Sequence, residues 1–455
     1  MSRDLLNKKI LEMQDEMIKS IQESIQINSV LAPAEENAPY GVGCKDALMH
    51  ILELGKSMGF KTDHMDYQMG WIEYGEGEEM VGVLGHMDVV PEGDGWIYPA
   101  FGGEIHDGKI WGRGVIDDKG PTIGALYGLK AIRDLGLPID RRIRILVGTN
   151  EENGHKCAIH YKKNGGEIPT LGFTPDADFP AIFYEKGISR YTIGGTVTDK
   201  GNIEVESLEA GTAVNVVIPH CKLVVNGKIN VNPVSDRVTV VEEDGKTIVE
   251  AVGIGAHGSA PHKGINAALL VLQSVKDNDF GGDFQKLLDF VLDKLGHDTN
   301  GEALGVFYDD EDTGKTTCNF GMLHYDHNDM SAQIEIRYPK NGTKESVEEK
   351  VQEAAKNYGL EVVASRYSVS VYCPKDSELI TKLMKVYQEE TGDMGEAISI
   401  GGGTYAKEFK NMVAFGPVFP GDPDVIHQPN EYAEIDKLVK AIQITTGAMW
   451  ELAKK

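Results

Sequence analysis

The sequence lacks long hydrophobic runs and has little positive charge, and each shortage excludes a class of protein. No stretch approaches the ~20 apolar residues that a transmembrane helix needs, so we expect neither a membrane-spanning segment nor a membrane partner. Lysine and arginine number 45 against 71 aspartates and glutamates, which gives a formal net charge of -26. Such acidity argues against binding to nucleic-acid phosphates or to an anionic membrane surface.

Cysteines are also few, and none are paired in sequence as Cys-x-x-Cys. The five are widely separated, at Cys44, Cys157, Cys221, Cys318 and Cys373. This pattern is typical of reduced thiols rather than of a disulfide framework or a thiolate metal site, and it predicts a cytoplasmic protein. The first 25 residues carry apolar side chains at helical spacing with charges between them, which predicts an amphipathic helix rather than a signal peptide.

The first part of the chain alternates helix and strand signals. A length of 455 residues suits two or three domains, and the 41% of hydrophobic residues can bury a large core. The sequence contains no internal repeat. Helices are predicted at 44–59 and 121–135, and short apolar strands at 80–85, 142–148 and 170–174. Strands separated by helices predict an α/β domain with a mostly parallel sheet.

The middle of the chain has a different character. Alternating strands such as RYTIGGTV and SAQIEIRYP are interleaved with helical stretches at 265–276, 284–295 and 344–358, which together predict an α+β module. Two further helices are predicted at 376–391 and 432–453. We therefore predict a catalytic α/β domain made of residues 1–187 and 372–455, interrupted by an inserted α+β lid domain at 188–371.

Polar side chains follow the predicted strands of the first domain, in GHMDVVP, GRGVIDDKGP, GTNEENG and TPDADFP. Because ligands bind beyond the carboxyl ends of the strands in open α/β sheets, we expect these side chains to converge there. Several converging carboxylates would repel one another and raise one another's pKa unless cations were present. Two divalent ions would remove this conflict, with His86 as a nitrogen ligand and Asp88 orienting its ring. The acidic candidates are Asp117, Asp118, Glu151, Glu152 and Asp176.

Each of these signals has an ordinary explanation when it is taken alone. A histidine at a strand end is commonly a structural residue, an Asp-Asp pair commonly a turn, and a Glu-Glu pair commonly a solvated loop. A glycine triplet such as Gly401 to Gly403 is commonly a flexible loop. The placement of all the acidic pairs directly after apolar strands is what favours a functional site.

The four motifs, together with VIHQPNEY at 425–432, resemble in order the motifs of the M20 family of metallopeptidases. The nearest likeness is to the bacterial PepV-type dipeptidases, of the Xaa-His dipeptidase or carnosinase type, which also contain the SIGGGTYAK stretch at 399–407. The resemblance covers nearly the whole chain, including the insert. It implies a metal-dependent hydrolase that cleaves dipeptides in the cytoplasm.

The resemblance also implies a set of metal ligands. Asp117 would bridge two zinc ions; His86 and Asp176 would complete one site, and Glu152 and His427 the other. Manganese or cobalt would suit the same ligands. The family further suggests a cis peptide bond between Asp117 and Asp118.

The remaining site residues follow from the same resemblance. Glu151 would be the general base, and Asp88 would act with it by supporting His86. In the insert, His257 would stabilise the oxyanion, while Asn215 and Arg337 would hold the carboxylate end of the substrate, a task that suits a planar guanidinium. The backbone amides of Gly401, Gly402 and Gly403 would assist. The other histidines, such as His50, His155 and His324, we interpret as surface or core residues.

Three functions remain open at this point. One is a dipeptidase for short peptides with a free amino terminus; a second is a deacylase or desuccinylase for N-acyl amino acids, because M20 enzymes share the metal centre and differ in the pocket. The third is a non-catalytic binding protein, against which stands the presence of Glu151 and of every ligand. The long insert resembles the PepV lid and implies a monomer that binds a small peptide substrate.

Overall fold

The chain forms two compact units in the computed structural model, which describes residues 2–296 and 298–455. The first unit comprises the chain up to Tyr184, Val371–Ile398 and the chain from Gly403 onward, and the second comprises Glu185–Ser370 and Ser399–Gly402. The second unit thus begins and ends within a few residues of the predicted insert. It also takes in Ser399–Gly402, which the sequence places in the catalytic domain, because Lys186 N donates to Ile400 O at 3.1 Å.

The part of the first unit that precedes the second unit alternates helices and strands. These elements are α1 (Ser2–Glu12), α2 (Gln14–Ile25), α3 (Val42–Ser57), β1 (Lys61–Met65), β2 (Met69–Tyr74), β3 (Met80–His86), β4 (Glu104–His106), β5 (Lys109–Trp111), α4 (Lys119–Asp134), β6 (Arg142–Gly148), α5 (Lys156–Lys163), β7 (Leu171–Thr174), β8 (Ala177–Asp178) and β9 (Ile182–Glu185). The predicted N-terminal helix is divided in two at Met13, although its apolar positions are buried as expected.

The second unit is rich in strands. Its elements are β10 (Gly187–Thr196), β11 (Val205–Ala210), β12 (His220–Asn226), β13 (Val238–Glu243), β14 (Lys246–Val252), a 3₁₀ turn (Pro261–Lys263), α6 (Ala267–Val275), α7 (Gly282–Phe290), a π-helical turn (Val291–Leu295), β15 (Asp309–Asp310), β16 (Gly314–Lys315), β17 (Thr317–Tyr325), β18 (Asp329–Tyr338), α8 (Lys344–Asn357) and β19 (Glu361–Ser368). Eight strands form one antiparallel sheet in the order β13-β14-β12-β11-β17-β18-β10-β19. Helices α6, α7 and α8 pack against it around a core of their own, as the α+β prediction requires.

The remaining elements follow β19 in the sequence. They are β20 (Val371–Tyr372), α9 (Glu378–Thr391), β21 (Ile398–Ile400), a 3₁₀ turn (Tyr405–Glu408), β22 (Met412–Ala414), β23 (Pro417–Val418), β24 (Tyr432–Glu434) and α10 (Ile435–Ala453). Within the described part of the chain, no helix combines the length and the apolar character needed to cross a membrane.

The main sheet of the first unit is mixed rather than mostly parallel. Its order is β1-β2-β6-β3-β7-β22-β9-β20, and only the centre, β6-β3-β7-β22, is parallel. Strands β1 and β2 pair antiparallel because the short turn between them, with Asp66 and Tyr67 at positive φ, closes a hairpin that the sequence reading missed. Strands β3 and β6 are buried along their whole length, as parallel strands covered on both faces are.

The C-terminal helix completes the core that the N-terminal part begins. Helix α10 packs on α4, where two glycines permit the close approach: a Cβ at Gly124 would lie 2.4 Å from Ile442, and one at Gly128 would lie 2.3 Å from the Thr446 hydroxyl. Strand β24 pairs with β5, just ahead of Asp117, and β23 pairs with β8, just after Asp176. Two strands of the C-terminal segment therefore pair with strands that lie near the predicted ligands Asp117 and Asp176.

Candidate metal centre

His86 is the last residue of β3 and is fully buried. Its Nδ1 lies 3.0 Å from the backbone carbonyl of Asp88, which can only accept a hydrogen bond. In the neutral ring Nδ1 therefore carries the hydrogen, and Nε2 presents its lone pair. Nε2 lies 3.0 Å from Asp117 Oδ1 and 3.6 Å from Asp176 Oδ2. The hydrogen bond at the back of the ring thus aims the other nitrogen at two carboxylates.

The carboxylate of Asp88 has a different role from the one predicted. It lies 3.6 Å from the ring nitrogen that its own carbonyl holds, so the carbonyl rather than the carboxylate orients His86. Its two oxygens instead accept the backbone amides of Glu151 at 3.0 Å and Glu152 at 3.1 Å. Asp88 therefore fixes the turn that carries both glutamates, a contact between separate strand ends that sequence spacing does not reveal.

Asp117 is positioned between the two histidines of the site. Its Oδ1 faces His86 Nε2, and its Oδ2 lies 2.9 Å from His427 Nε2. The peptide bond between Asp117 and Asp118 is cis, as the resemblance suggests. The Asp118 carboxylate turns away from the ligand side and accepts the backbone amide of His86 at 3.1 Å. The two neighbouring aspartates thus have different roles: one faces the site and the other supports it.

A buried carboxylate, Glu431, attaches the segment that carries His427 to the loop before Asp117. Its Oε1 accepts the amides of Gly114 at 3.1 Å and Ile116 at 3.0 Å, and its Oε2 accepts Arg113 Nη1 at 2.8 Å. Glu431 is completely inaccessible to solvent. In the motif VIHQPNEY, only His427 was predicted to have a role from the sequence, so the supporting role of Glu431 was missed.

Without cations, the site holds competing charges. Burial lowers the pKa of His86, but its contacts with Asp117 and Asp176 outweigh this and raise the pKa well above its usual range. Contacts with Asp117 and Glu152 raise the pKa of His427 to about 11. Burial and the charge of Asp117 raise the pKa of Glu152 to about 7 and that of Asp176 well above its usual range. The metal-free site therefore retains protons on its imidazoles and on part of its carboxylates.

The residues present fit two divalent cations. His86 Nε2 and Asp117 Oδ1 are both buried without a hydrogen-bond partner, although they lie only 3.0 Å apart. One group of ligand atoms within 4.8 Å of one another comes from His86, Glu151 and Asp176, and another comes from Asp117, Glu152 and His427. Nitrogen and carboxylate donors suit zinc, and also manganese or cobalt. A cation in each group would take the place of the retained protons.

Glu151 lies beside the first group and has a partner that the sequence reading missed. Its Oε1 lies 3.0 Å from His155 Nε2, and His155 Nδ1 lies 3.0 Å from Glu408 Oε1. Burial lowers the pKa of His155, but its contacts with Glu151 and Glu408 raise it to about 9. The interpretation of His155 as a surface or core residue did not anticipate these two contacts. The signal that could have revealed the contact with Glu151 is the position of His155 four residues after it.

Several predicted lid residues lie together in the second unit. Arg337 is 3% exposed; its Nη1 donates to the Gly401 carbonyl at 2.6 Å, and its Nη2 lies 3.5 Å from His257 Nε2. The backbone of Asn215 accepts the amide of the residue after His257 at 2.8 Å. Arg337 also donates through Nε to Glu335 at 2.7 Å. One carboxylate thus sets the orientation of the guanidinium beside His257.

The glycine triplet is divided between the two units. Gly401 and Gly402 belong to the second unit, and Gly403 belongs to the first. At Gly401 the group in contact with Arg337 is the carbonyl, an acceptor, whereas the sequence reading assigned a role to the amides. The role of the amides stays a prediction.

The second unit contains a further cluster of potential ligands. His324, Asp326 and Asp329 bring ligand atoms within 4.8 Å of one another. His324 Nδ1 also contacts Glu209 Oε1 at 2.8 Å, and the side chains of the cluster are partly or largely exposed to solvent. The cluster is consistent with the interpretation of His324 as a surface residue.

Comparisons with known proteins identify the family. The sequence model of Peptidase family M20/M25/M40 matches residues 82–451. A protein of Bacillus subtilis (strain 168) named "Putative dipeptidase YtjP" is 36% identical over 463 residues, covering 98% of this chain and 99% of that protein. Two solved structures share the fold: human carnosine dipeptidase 1 (TM-score 0.60, 14% identity, 100% of this chain and 99% of that one) and the di-peptidase Dug1p from Saccharomyces cerevisiae (TM-score 0.61, 15% identity, 100% and 99%). The chain therefore belongs to Peptidase family M20/M25/M40 and is a hydrolase.

Proposed function

We propose that this protein is a dipeptidase that uses two divalent metal ions, with zinc as the first candidate. The observation that carries the proposal is the arrangement of Asp117 between two imidazoles, with Oδ1 3.0 Å from His86 Nε2 and Oδ2 2.9 Å from His427 Nε2. A carboxylate with one oxygen toward each histidine is suited to serve two cations. His86 and Asp176 would hold the first cation and Glu152 and His427 the second.

The cations would supply Lewis acidity toward the scissile carbonyl and would lower the pKa of a bound water molecule. The protein would supply the proton transfer. Glu151 lies next to the ligand Glu152 but is turned toward His155, so its carboxylate is available to take a proton from the attacking water. It would then deliver that proton to the leaving amine, as a general base that becomes a general acid.

The residues that the resemblance assigns to the lid would bind the carboxylate end of the substrate. Support comes from the second unit, where the Arg337 guanidinium lies beside His257 and near the Asn215 backbone. Two arginines, Arg190 and Arg337, contact the same carboxylate, Glu335, and their positive charge would attract an anion. A free α-carboxylate has the matching charge and planar shape.

Dipeptides are chosen as substrates for two reasons. The Bacillus subtilis relative is named a putative dipeptidase and aligns over nearly the whole of both chains, and the motifs resemble those of PepV. Deacylation of N-acyl amino acids is the alternative, because it would use the same ligands and the same base. A cytoplasmic location and an active monomer are part of the proposal. All five cysteines are buried and unpaired, which is compatible with a reducing compartment.

The test is a pair of variants with the same chemical change. Glu151→Gln should retain both metals, because it removes no assigned ligand, while its turnover falls by about 10²–10⁴-fold. The matched control, Glu76→Gln, alters an exposed glutamate of the same unit and should behave as the unmodified protein. Metal content is measured by elemental analysis. Turnover is measured on a dipeptide, a tripeptide, and N-acetyl and N-succinyl amino acids with zinc, manganese or cobalt added.

Two results would overturn the proposal. If Glu151→Gln stays active, another residue moves the proton. If the unmodified protein hydrolyses the acyl amino acids and leaves the dipeptide intact, the function is deacylation.

A further inference from the structure

His155 is held in place by its backbone as well as by its side chain. It occupies the left-handed region at φ 58, directly before α5, and its amide donates to the carbonyl of Asn150 at 2.9 Å. Residues other than glycine adopt this conformation rarely, and Asn, Asp and His do so more readily than bulkier residues. The turn after the two glutamates thus directs the His155 ring back toward Glu151.

The ring bridges two carboxylates. Nε2 is 3.0 Å from Glu151 Oε1, and Nδ1 is 3.0 Å from Glu408 Oε1. The edge of the Tyr405 ring packs against the imidazole at a centroid distance of 5.3 Å. With both nitrogens engaged and one side packed, the ring has little freedom to rotate.

Glu408 is itself fixed from the other side. Lys162 Nζ lies 2.6 Å from Glu408 Oε2 and donates to the Glu408 backbone carbonyl at 2.6 Å. Both residues are partly buried, and Lys162 lies on α5, which begins directly after His155. A series of side-chain contacts therefore runs from Lys162 through Glu408 and His155 to the carboxylate of Glu151.

The restraint of Glu151 by His155 matters because Glu151 lies close to the first group of metal ligands. A Glu151 carboxylate oxygen lies within 4.8 Å of the ligand atoms of His86 and Asp176, so the side chain is close enough to join that group. A glutamate that coordinates a cation is a much weaker base, because the nearby positive charge favours the ionised carboxylate. The side chain must therefore be kept off the cation if it is to act as a base.

We infer that His155, anchored by Glu408, is a positioning residue that holds Glu151 away from the first metal group and so preserves it as the proton acceptor. The inference rests on the proposed role of Glu151. It makes a distinctive prediction, because removal of His155 should lower turnover and at the same time strengthen metal binding. A residue with a merely structural role would weaken both.

The experiment compares His155→Ala with His155→Gln, whose amide nitrogen can replace Nε2 as the donor to Glu151. His155→Ala should lower kcat by about 10–100-fold, with KM within about threefold of the unmodified value, since orientation rather than substrate binding is lost. His155→Gln should recover most of the loss. The control is His160→Ala, which removes a histidine of helix α5 that is likewise paired with a carboxylate, Asp66, at 2.8 Å.

Metal affinity is measured by calorimetry on the metal-stripped proteins with zinc alone, without substrate. His155→Ala should still bind two ions, one of them at least about threefold more tightly than in the unmodified protein, whereas His160→Ala should be unchanged. Weaker binding or loss of an ion, an unchanged kcat, or a glutamine variant no better than alanine would each overturn the inference. Because affinity is read without turnover, it separates this inference from the proposed function, which fails if Glu151→Gln remains active.

Discussion

Replacing Asp88 with alanine should destabilise the first unit strongly, because two partly buried backbone amides would lose their acceptor. Asp88 is 1% exposed, and its oxygens accept the amides of Glu151 and Glu152 at 3.0 and 3.1 Å. A hydrogen bond to a charged group contributes about 1.5–3 kcal/mol, so the loss of two should cost about 3–6 kcal/mol. Asp88→Asn retains one acceptor and should cost roughly half as much. The loosened turn should also lower kcat/KM by about 10–100-fold.

Tryptophan fluorescence during urea unfolding of the metal-free protein is the suitable assay. All four tryptophans, Trp71, Trp96, Trp111 and Trp450, lie in the first unit, so the signal reports that unit. The control is Asp94→Ala, which removes an exposed carboxylate from the same loop and should change stability by less than about 0.5 kcal/mol. An Asp88→Ala protein as stable as this control would refute the assigned role.

Other predictions concern the metal ligands, the substrate and the assembly. Asp117→Ala should weaken binding of both ions, since one carboxylate faces both histidines; calorimetry showing two sites of unchanged affinity would contradict this. Metal binding should release at least about two protons near pH 7, because the pKa of His427 is raised to about 11 and that of His86 lies well above its usual range, and the raised pKa values of Glu152 and Asp176 add to the release. The affinity for metal should therefore fall as the pH falls, by about tenfold per pH unit for each proton released. Identical heats of metal binding in buffers of different ionisation enthalpy would exclude this proton release. Arg337→Ala should raise KM, lower kcat and narrow the preference for a dipeptide over its C-terminal amide, and equal cleavage of the two by the unmodified protein would refute a carboxylate anchor. Specific activity should not change on dilution if the monomer is active, whereas a loss that follows dissociation in sedimentation would indicate a dimer.

Several candidate ligands could be predicted because their motifs are short and stand at the ends of apolar strands. His86 ends β3, Glu151 and Glu152 follow β6, and Asp176 follows β7, so the parallel centre of the sheet brings them to one edge. Spacing alone could not bring His427 to that edge. Its assignment came from the resemblance, and the structure brings it within 2.9 Å of Asp117.

The supporting residues could not be predicted, since they act through contacts between distant segments. Glu408 lies 253 positions from His155, and Glu431 lies 317 positions from Gly114. Glu408 stands in no motif, and the motif that contains Glu431 does not indicate which buried segment its carboxylate contacts. The same limit applies to the β1–β2 hairpin, whose half-exposed strands lack the continuous apolar run that identifies β3 and β6.

The sequence by itself determined the family, and it indicated both the insertion of one domain into another and the candidate ligands for two cations. These features can be recognised from local patterns, because strand periodicity and short motifs depend only on residues that are close together in the sequence. Only the tertiary structure decided that Asp88 supports the glutamate turn through its carboxylate and His86 through its carbonyl. It also decided that His155 links Glu151 to Glu408. The physical reason is that a hydrogen bond depends on distance and direction between atoms, which are set when segments far apart in the chain pack together.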